Sequence, residues 1–216
     1  MNPSETLSQV CALLEEGNVN EAAVTMTRDY PFQSVLPSAR AYTEAHATRV
    51  FARDRFVDRY SGERLVFPGT LRLLSLQLPE AFPYQRNWKV SETHPAYWQL
   101  CATIDHVVPV TRGGTDAEPN LVTTSMLRNS AKAHWLLEEL GWVLNAPGER
   151  GSWDGLMSWF MSRIADDPSY LKQPSVRRWH LAATQCAAAY MSVNTDAHGR
   201  PLPSVAPVRG RRLRSR

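Results

Sequence analysis

The sequence predicts a predominantly helical α+β protein. Most segments repeat apolar residues at helical spacing, which is the pattern of amphipathic helices. Two short segments rich in Val, Ile and Thr, residues 103–110 and 121–124, are instead typical of β-strands. A loop with a Gly-Gly pair separates them and a helical pattern follows them. This order predicts one small ββα unit set among helices.

The N-terminal segment, residues 1–36, predicts a helical hairpin that forms a first domain. Asn2 can cap the first helix, and Glu5 stands three residues after it, which is the spacing of a capping box. Gly17 follows the last apolar position and ends this helix. A second helix is predicted to start near Asn20.

The central segment, residues 37–145, is predicted to form the core domain. Ahead of the ββα unit it contains a helix over 42–56, a strand over 63–67 and a short apolar helix over 69–78. The ββα unit itself spans 102–141.

The helix of the ββα unit is predicted to cover residues 125–140. Thr124 or Ser125 can cap its start, since both carry the side-chain hydroxyl that accepts from the first free backbone N–H groups. Gly141 follows the last periodic residue and marks the end.

The C-terminal part divides into helices and a tail. Residues 146–192 hold two helical patterns that we expect to pack on the core, and their Trp residues favour core positions over base-stacking platforms. Residues 193–216 predict a flexible basic tail. Arg209, Arg211 and Arg212 begin the arginine cluster of that tail and are candidate nucleic-acid contacts. A solvated, disordered terminus is the alternative interpretation.

Charge and hydropathy limit the class of protein. The net charge is +3, and the last eight residues hold five arginines, so residues 1–208 sum to 3 − 5 = −2. No run of 18 apolar residues occurs, and the N-terminus lacks a basic region ahead of an apolar stretch. A cytoplasmic protein that does not cross a membrane is therefore expected. The three cysteines form no CxxC pair, which argues against a disulfide framework.

Four polar residues mark the predicted ββα unit. Asp105 and His106 are adjacent in the first strand, where successive side chains point to opposite faces. Asn120 stands at the head of the second strand and Asn129 lies one turn into the helix. Folding the hairpin onto the helix would bring the four together, with Asp105 and Asn129 as two oxygen ligands on one side.

The stretch "DHVVPVTRGGTDAEPNLVTTSMLRNSAK" resembles the HNH endonuclease motif, the ββα-metal fold, in its variant with Asn at the third position. The match covers about thirty residues and includes the Gly-Gly loop and Lys132. The flanking "DRYSGERL" and "LEELGW" also look like those of stand-alone bacterial HNH proteins.

The resemblance implies roles for particular residues. His106 would be the general base that activates water for attack on a phosphodiester. Asp105 and the side-chain oxygen of Asn129 would bind one divalent metal, Mg²⁺ or Mn²⁺, because hard cations favour oxygen ligands. Asn120 would hold the loop that orients His106. Lys132 would assist catalysis by facing a phosphate, although a solvated helix lysine is the simpler interpretation.

Further binding residues and partners follow from the same resemblance. Arg112, beside the Gly-Gly pair, is a candidate phosphate contact. The expected substrate is nucleic acid, DNA more than RNA. No helix-turn-helix, zinc finger or other separate reader domain is recognisable. Three alternatives for specificity therefore stay open: the N-terminal helices supply it, a protein partner supplies it, or it is absent.

The chain departs from many HNH relatives at a structural zinc site. The positions that carry two CxxC pairs in those relatives hold Asp58, Ser61, Ser125 and Arg128 here. These side chains lack the thiolates of such a site, so we expect no structural zinc.

Two functions remain open from the sequence. The first is an active metal-dependent HNH endonuclease, with restriction or anti-phage defence as the biological setting. The second is a non-catalytic nucleic-acid-binding or assembly subunit on the same scaffold. The complete set of Asp105, His106 and Asn129 favours the first, because a degenerate module has no need of all three.

Overall fold

The computed structural model describes residues 2–32, 42–149 and 153–193. The chain divides into two compact units, Met1–Ala39 and Arg40–Arg216. The described part is α+β and about half helical, with eight α-helices and one two-stranded antiparallel sheet. The predicted fold class is confirmed at this level. In the described part, no helix has the length and apolar character needed to cross a membrane.

The first unit contains α1 (Pro3–Glu15) and α2 (Val19–Asp29). The predicted cap of α1 is confirmed, since the Asn2 side chain accepts from the backbone N–H of Ser4 and Glu5 completes a capping box. The two helices pack against each other as the predicted hairpin.

The second unit contains the sheet and the remaining helices. Its helices are α3 (Glu44–Arg53), α4 (Pro68–Gln77), α5 (Ala96–Gln99), α6 (Met126–Lys132), α7 (Met157–Asp166) and α8 (Pro174–Val193). Its strands are β1 (Ala102–His106) and β2 (Leu121–Ser125), with short 3₁₀ turns at Val110–Arg112, Glu118–Asn120 and Pro168–Lys172.

The core of the second unit lies between the β-hairpin, formed by β1 and β2, and four helices. Helix α3 contacts both strands and α8, while α4 contacts α7 and α8. The interior is filled by large apolar side chains that water barely reaches, among them Val50, Phe51, Phe67, Leu121, Phe160 and Val176. Burial of this surface is the main force that holds the hairpin in place.

The hairpin register fixes which side chains share a face. Ala102 pairs with Ser125, Ile104 with Thr123 and His106 with Leu121. Because side chains alternate along a strand, Ile104 and His106 share one face of β1, and Asp105 points to the other. Ile104 belongs to the core that α3 lines, so Asp105 lies on the side that α6 covers.

Three predictions of secondary structure were wrong. The strand predicted over 103–110 ends at His106, and residues Val110–Arg112 form a 3₁₀ turn. Residues 63–67 form only isolated bridges, in which Arg64 pairs with Val57 and Val66 with Cys101. The helix predicted to end at Gly141 ends at Lys132, since Ala133 adopts φ 47° and ψ −116°. Several side chains after Lys132 are exposed, so no core contact stabilises a longer helix there.

Candidate active site

Asp105 is buried in a polar cluster at the end of β1. Its side chain is 3% exposed, and its Oδ2 accepts a hydrogen bond of 2.8 Å from the Tyr60 hydroxyl. The Lys132 ammonium lies 3.0 Å from the same oxygen. Lys132 also donates to the backbone carbonyl of His106 at 2.7 Å. Lys132 is thus enclosed between the two candidate catalytic residues and does not face solvent.

Tyr60 stabilises this cluster as a hydrogen-bond donor. Burial, followed by the charge of Asp105, raises the pKa of the Tyr60 hydroxyl well above its usual value. The phenol therefore stays protonated over the whole range in which proteins are assayed, and it donates to the carboxylate throughout. Tyr60 follows α3 in the chain, and the sequence pattern there did not predict its contact with Asp105.

Asn129 projects from α6 onto β1. Its Nδ2 donates to the carbonyl of Ile104 at 2.9 Å and lies 3.5 Å from Oγ1 of Thr103. The side chain is thereby fixed against the residues that precede Asp105. No described residue donates a hydrogen bond to Oδ1 of Asn129 or to Oδ1 of Asp105.

These two oxygens fit a small, hard cation by their chemistry. A carboxylate and an amide oxygen are ligands that Mg²⁺ and Mn²⁺ accept, with water completing the shell. The other carboxylate oxygen of Asp105 is already occupied by Tyr60 and Lys132. Among the described residues, no group of three or more His, Cys, Asp or Glu side chains could hold a metal, so protein donors would be few.

His106 lies on the opposite face of β1 and is only 1% exposed. Its Nε2 is 2.7 Å from Oδ1 of Asp116, whose own side chain is 68% exposed. The Tyr42 hydroxyl lies 3.1 Å from each ring nitrogen. Asp116 and Tyr42 therefore close off the ring, and water reaches His106 only if one of them moves. The sequence prediction missed both residues.

Asn120 and the Gly-Gly loop hold the backbone that follows His106. The Asn120 amide exchanges two hydrogen bonds with Val108, accepting from its N–H at 2.9 Å and donating to its carbonyl at 3.0 Å. It also donates to the carbonyl of Thr115 at 2.8 Å. A Cβ at Gly114 would lie 1.8 Å from the Val108 carbonyl oxygen, so only glycine fits that position.

A second buried carboxylate joins the segment after α3 to the start of α6. Oδ1 of Asp58 accepts from the backbone N–H of Ser61 at 3.2 Å, and its Oδ2 accepts from that of Ser125 at 2.9 Å. The hydroxyl of Thr124 and, at 4.0 Å, the guanidinium of Arg128 approach the same Oδ2. Ser61, Ser125 and Arg128 thus meet around the carboxylate of Asp58.

Of the remaining candidate binding residues, Arg112 belongs to the described part of the chain. Arg112 forms an ion pair with Glu139. Arg209, Arg211 and Arg212 lie outside the described residues. The arrangement as a whole offers a shielded imidazole, a buried carboxylate with an amide beside its strand, and a buried ammonium that contacts that carboxylate and the backbone carbonyl of His106.

No protein-family model, curated protein or solved structure matches this chain.

Proposed function

We propose that this protein is a metal-dependent endonuclease of the HNH type that hydrolyses phosphodiester bonds, in DNA more than in RNA. The observation that carries the proposal is the docking of Asn129 on β1. Its Nδ2 bonds the carbonyl of Ile104, directly before the Asp105-His106 pair, and its Oδ1 has no donor among the described residues. This contact fixes the amide beside the strand that carries Asp105 and leaves its oxygen as an acceptor.

In the proposed reaction, His106 accepts a proton from the attacking water. The water oxygen forms the new bond to phosphorus as the bond from phosphorus to the 3′-oxygen breaks. The 3′-oxygen takes a proton from solvent, so the products carry a 5′-phosphate and a 3′-hydroxyl. His106 reaches this water only after Asp116 leaves Nε2, and the exposed side chain of Asp116 is able to do so. Asn120 keeps the following loop fixed, which holds the imidazole at a constant angle.

Asp105 and Asn129 would hold the divalent ion. Mg²⁺ or Mn²⁺, when bound there, would neutralise the charge that develops on the leaving oxygen. Tyr60 and Lys132 position the Asp105 carboxylate by occupying its Oδ2, which leaves Oδ1 for the ion. Lys132 acts through Asp105 and the His106 carbonyl in this arrangement, so we propose it as a positioning residue.

A non-catalytic nucleic-acid-binding or assembly subunit is the second candidate. Two observations favour it: His106 is 1% exposed, and Asp105 already has a buried cationic partner in Lys132. A module that kept the scaffold for stability alone would also show a closed imidazole and a neutralised carboxylate.

A cleavage assay separates the two candidates. The purified protein is incubated with supercoiled plasmid or labelled RNA and Mg²⁺ or Mn²⁺, with and without chelator, beside His106→Ala. His134→Ala is the matched control, since His134 is exposed and stacks on Trp135. We expect cutting by wild type and by His134→Ala that the chelator and His106→Ala both abolish. Equal cutting by His106→Ala would refute the mechanism. No cutting of either substrate would favour the binding module or a nuclease that depends on a partner.

The biological setting is part of the proposal. A DNA endonuclease without a recognisable reader domain suits restriction or anti-phage defence in the cytoplasm. In such a system a protein partner supplies recognition of the target sequence. Pull-down of that partner from native cells, followed by cleavage in its presence, tests this extension.

A further inference from the structure

An aromatic cavity of about 300 Å³ lies beside β1 in the second unit. Its wall includes the rings of Tyr84, Trp88, Tyr97 and Trp179. The volume stands at the lower end of the range for small-molecule sites, about 300–1,000 Å³, and suits one planar ring system rather than a base pair. Flat aromatic walls are the surfaces on which nucleobases stack.

Arg72 supplies a hydrogen-bond donor to this cavity. Its guanidinium carbon lies 3.4 Å from the centre of the Tyr84 ring, so the group is held flat against the wall. Its Nε is enclosed and donates to no described residue. A buried donor without an acceptor is costly, and a ligand that carries a ring nitrogen or carbonyl would satisfy it.

The aromatic cavity is adjacent to the candidate active site. Tyr42 lines the cavity, and its hydroxyl lies 3.1 Å from the ring nitrogens of His106. Ile104, two residues before His106 on the same face of β1, also lines it. A ligand in the cavity would therefore be separated from the candidate general base by the single ring of Tyr42.

We propose that the aromatic cavity binds one unstacked base of single-stranded nucleic acid, from the nucleotide next to the phosphate that His106 would attack. The base would stack on Trp88, beside the Tyr84 ring that Arg72 covers, and accept a hydrogen bond from Nε of Arg72. This inference rests on the proposed function for the identity of the ligand. It adds to that function a requirement for a locally unpaired substrate and a contact that fixes the register of the strand.

The test measures binding without cleavage. A short fluorescent single-stranded oligodeoxynucleotide is titrated with the full-length protein in chelator, and anisotropy reports the affinity. A single abasic position is then moved along the oligonucleotide. We expect the abasic site at one position to weaken binding by about fivefold to a hundredfold, the effect of losing one stacked base.

Two variants assign that loss to the aromatic cavity. Trp88→Ala and Arg72→Met should each weaken binding of the intact strand and remove the penalty at the sensitive position. Trp135→Ala is the matched control, because Trp135 is 40% exposed and stacks on His134 away from the cavity. It should keep both the affinity and the penalty. Circular dichroism and thermal unfolding verify that each variant is folded.

The outcomes separate this inference from the proposed function. A positional penalty that persists in folded Trp88→Ala and Arg72→Met overturns the inference, as does the absence of any penalty or of any binding. If the protein cleaves nucleic acid but the cavity variants bind as wild type does, the proposed nuclease function is retained and the base site is refuted. A penalty that depends on the cavity in a protein that cuts no substrate supports the base site and refutes the nuclease.

Discussion

The ammonium of Lys132 lies 3.0 Å from Oδ2 of Asp105, and the two side chains are 0% and 3% exposed. The same ammonium donates to the carbonyl of His106 at 2.7 Å. Lys132 is the last residue of α6, so one buried ion pair joins the end of the helix to the end of β1. The geometry of the candidate site depends on that junction.

Removal of the cation should destabilise the protein strongly. Lys132→Met leaves the Asp105 carboxylate buried without its cationic partner, and breaking such a pair costs about 3–5 kcal/mol. We expect a fall of this size in the free energy of unfolding, measured by urea denaturation. Lys172→Met is the control at an exposed lysine and should stay within about 0.5 kcal/mol of wild type.

A second substitution distinguishes the ion pair from simple packing loss. Asp105→Asn in the Lys132→Met background removes the unpaired charge and should recover part of the lost stability. A Lys132→Met protein as stable as wild type would contradict the buried pair. A double variant no more stable than Lys132→Met would attribute the loss to packing and to the His106 carbonyl.

Asp58 is predicted to hold the segment after α3 against the start of α6. Its carboxylate accepts from the backbone N–H groups of Ser61 and Ser125, and hydrogen bonds to a charged group contribute about 1.5–3 kcal/mol each. Asp58→Asn should therefore lower the free energy of unfolding by about 3 kcal/mol. Asp166→Asn, at a side chain that is 60% exposed, is the control and should have little effect.

Chelation tests the same point on the wild-type protein. Since the support comes from a carboxylate, a strong chelator should leave Tm unchanged in a thermal melt. A drop in Tm that added zinc restores would show that a structural metal is present after all.

The features that sequence predicted are those set by neighbouring residues. The Asn2 cap, the Ser125 cap and strand β2 depend on local spacing, and each was found where the pattern put it, whereas β1 ends four residues before its predicted end. Tyr60 contacts Asp105 from 45 positions away, and no periodicity encodes such a contact. The early end of α6 escaped prediction because the residues beyond Lys132 are helical by propensity but find no core to pack on.

Thiol reactivity should follow burial along the chain. Burial raises the pKa of the Cys101 thiol to about 12 and also raises the pKa of Cys186. Because the thiolate is the reactive form, both should react slowly at pH 8, whereas the exposed Cys11 should react at once. An Ellman assay should count one fast thiol, none in Cys11→Ser, and three in urea. Fast reaction of a second thiol in folded protein would contradict this.

Asp116 is predicted to compete with the substrate for His106. A phosphodiester and the Asp116 carboxylate are both anions, so they repel each other at the imidazole. Two charges about 4 Å apart in water interact by about 1 kcal/mol, or about fivefold in affinity. Asp116→Asn should raise kcat/KM by up to about this factor at low salt, with less effect at high salt. A fall of about a hundredfold in kcat at unchanged KM would instead make Asp116 an orienting partner of His106.

Gly114 should be the least replaceable glycine of the loop. A Cβ there would meet the Val108 carbonyl oxygen at 1.8 Å and Nδ2 of Asn120 at 2.9 Å, so alanine must push apart the hydrogen bonds between them. Gly113 has a positive φ of 87° but open space around it, so Gly113→Ala costs only backbone strain, about 1–2 kcal/mol. We expect Gly114→Ala to lose more stability than Gly113→Ala in urea denaturation, and to lose cleavage because the loop no longer holds His106. Equal losses of stability and of cleavage in Gly114→Ala and Gly113→Ala would show that the hydrogen bonds of Asn120 to the loop do not determine the position of His106.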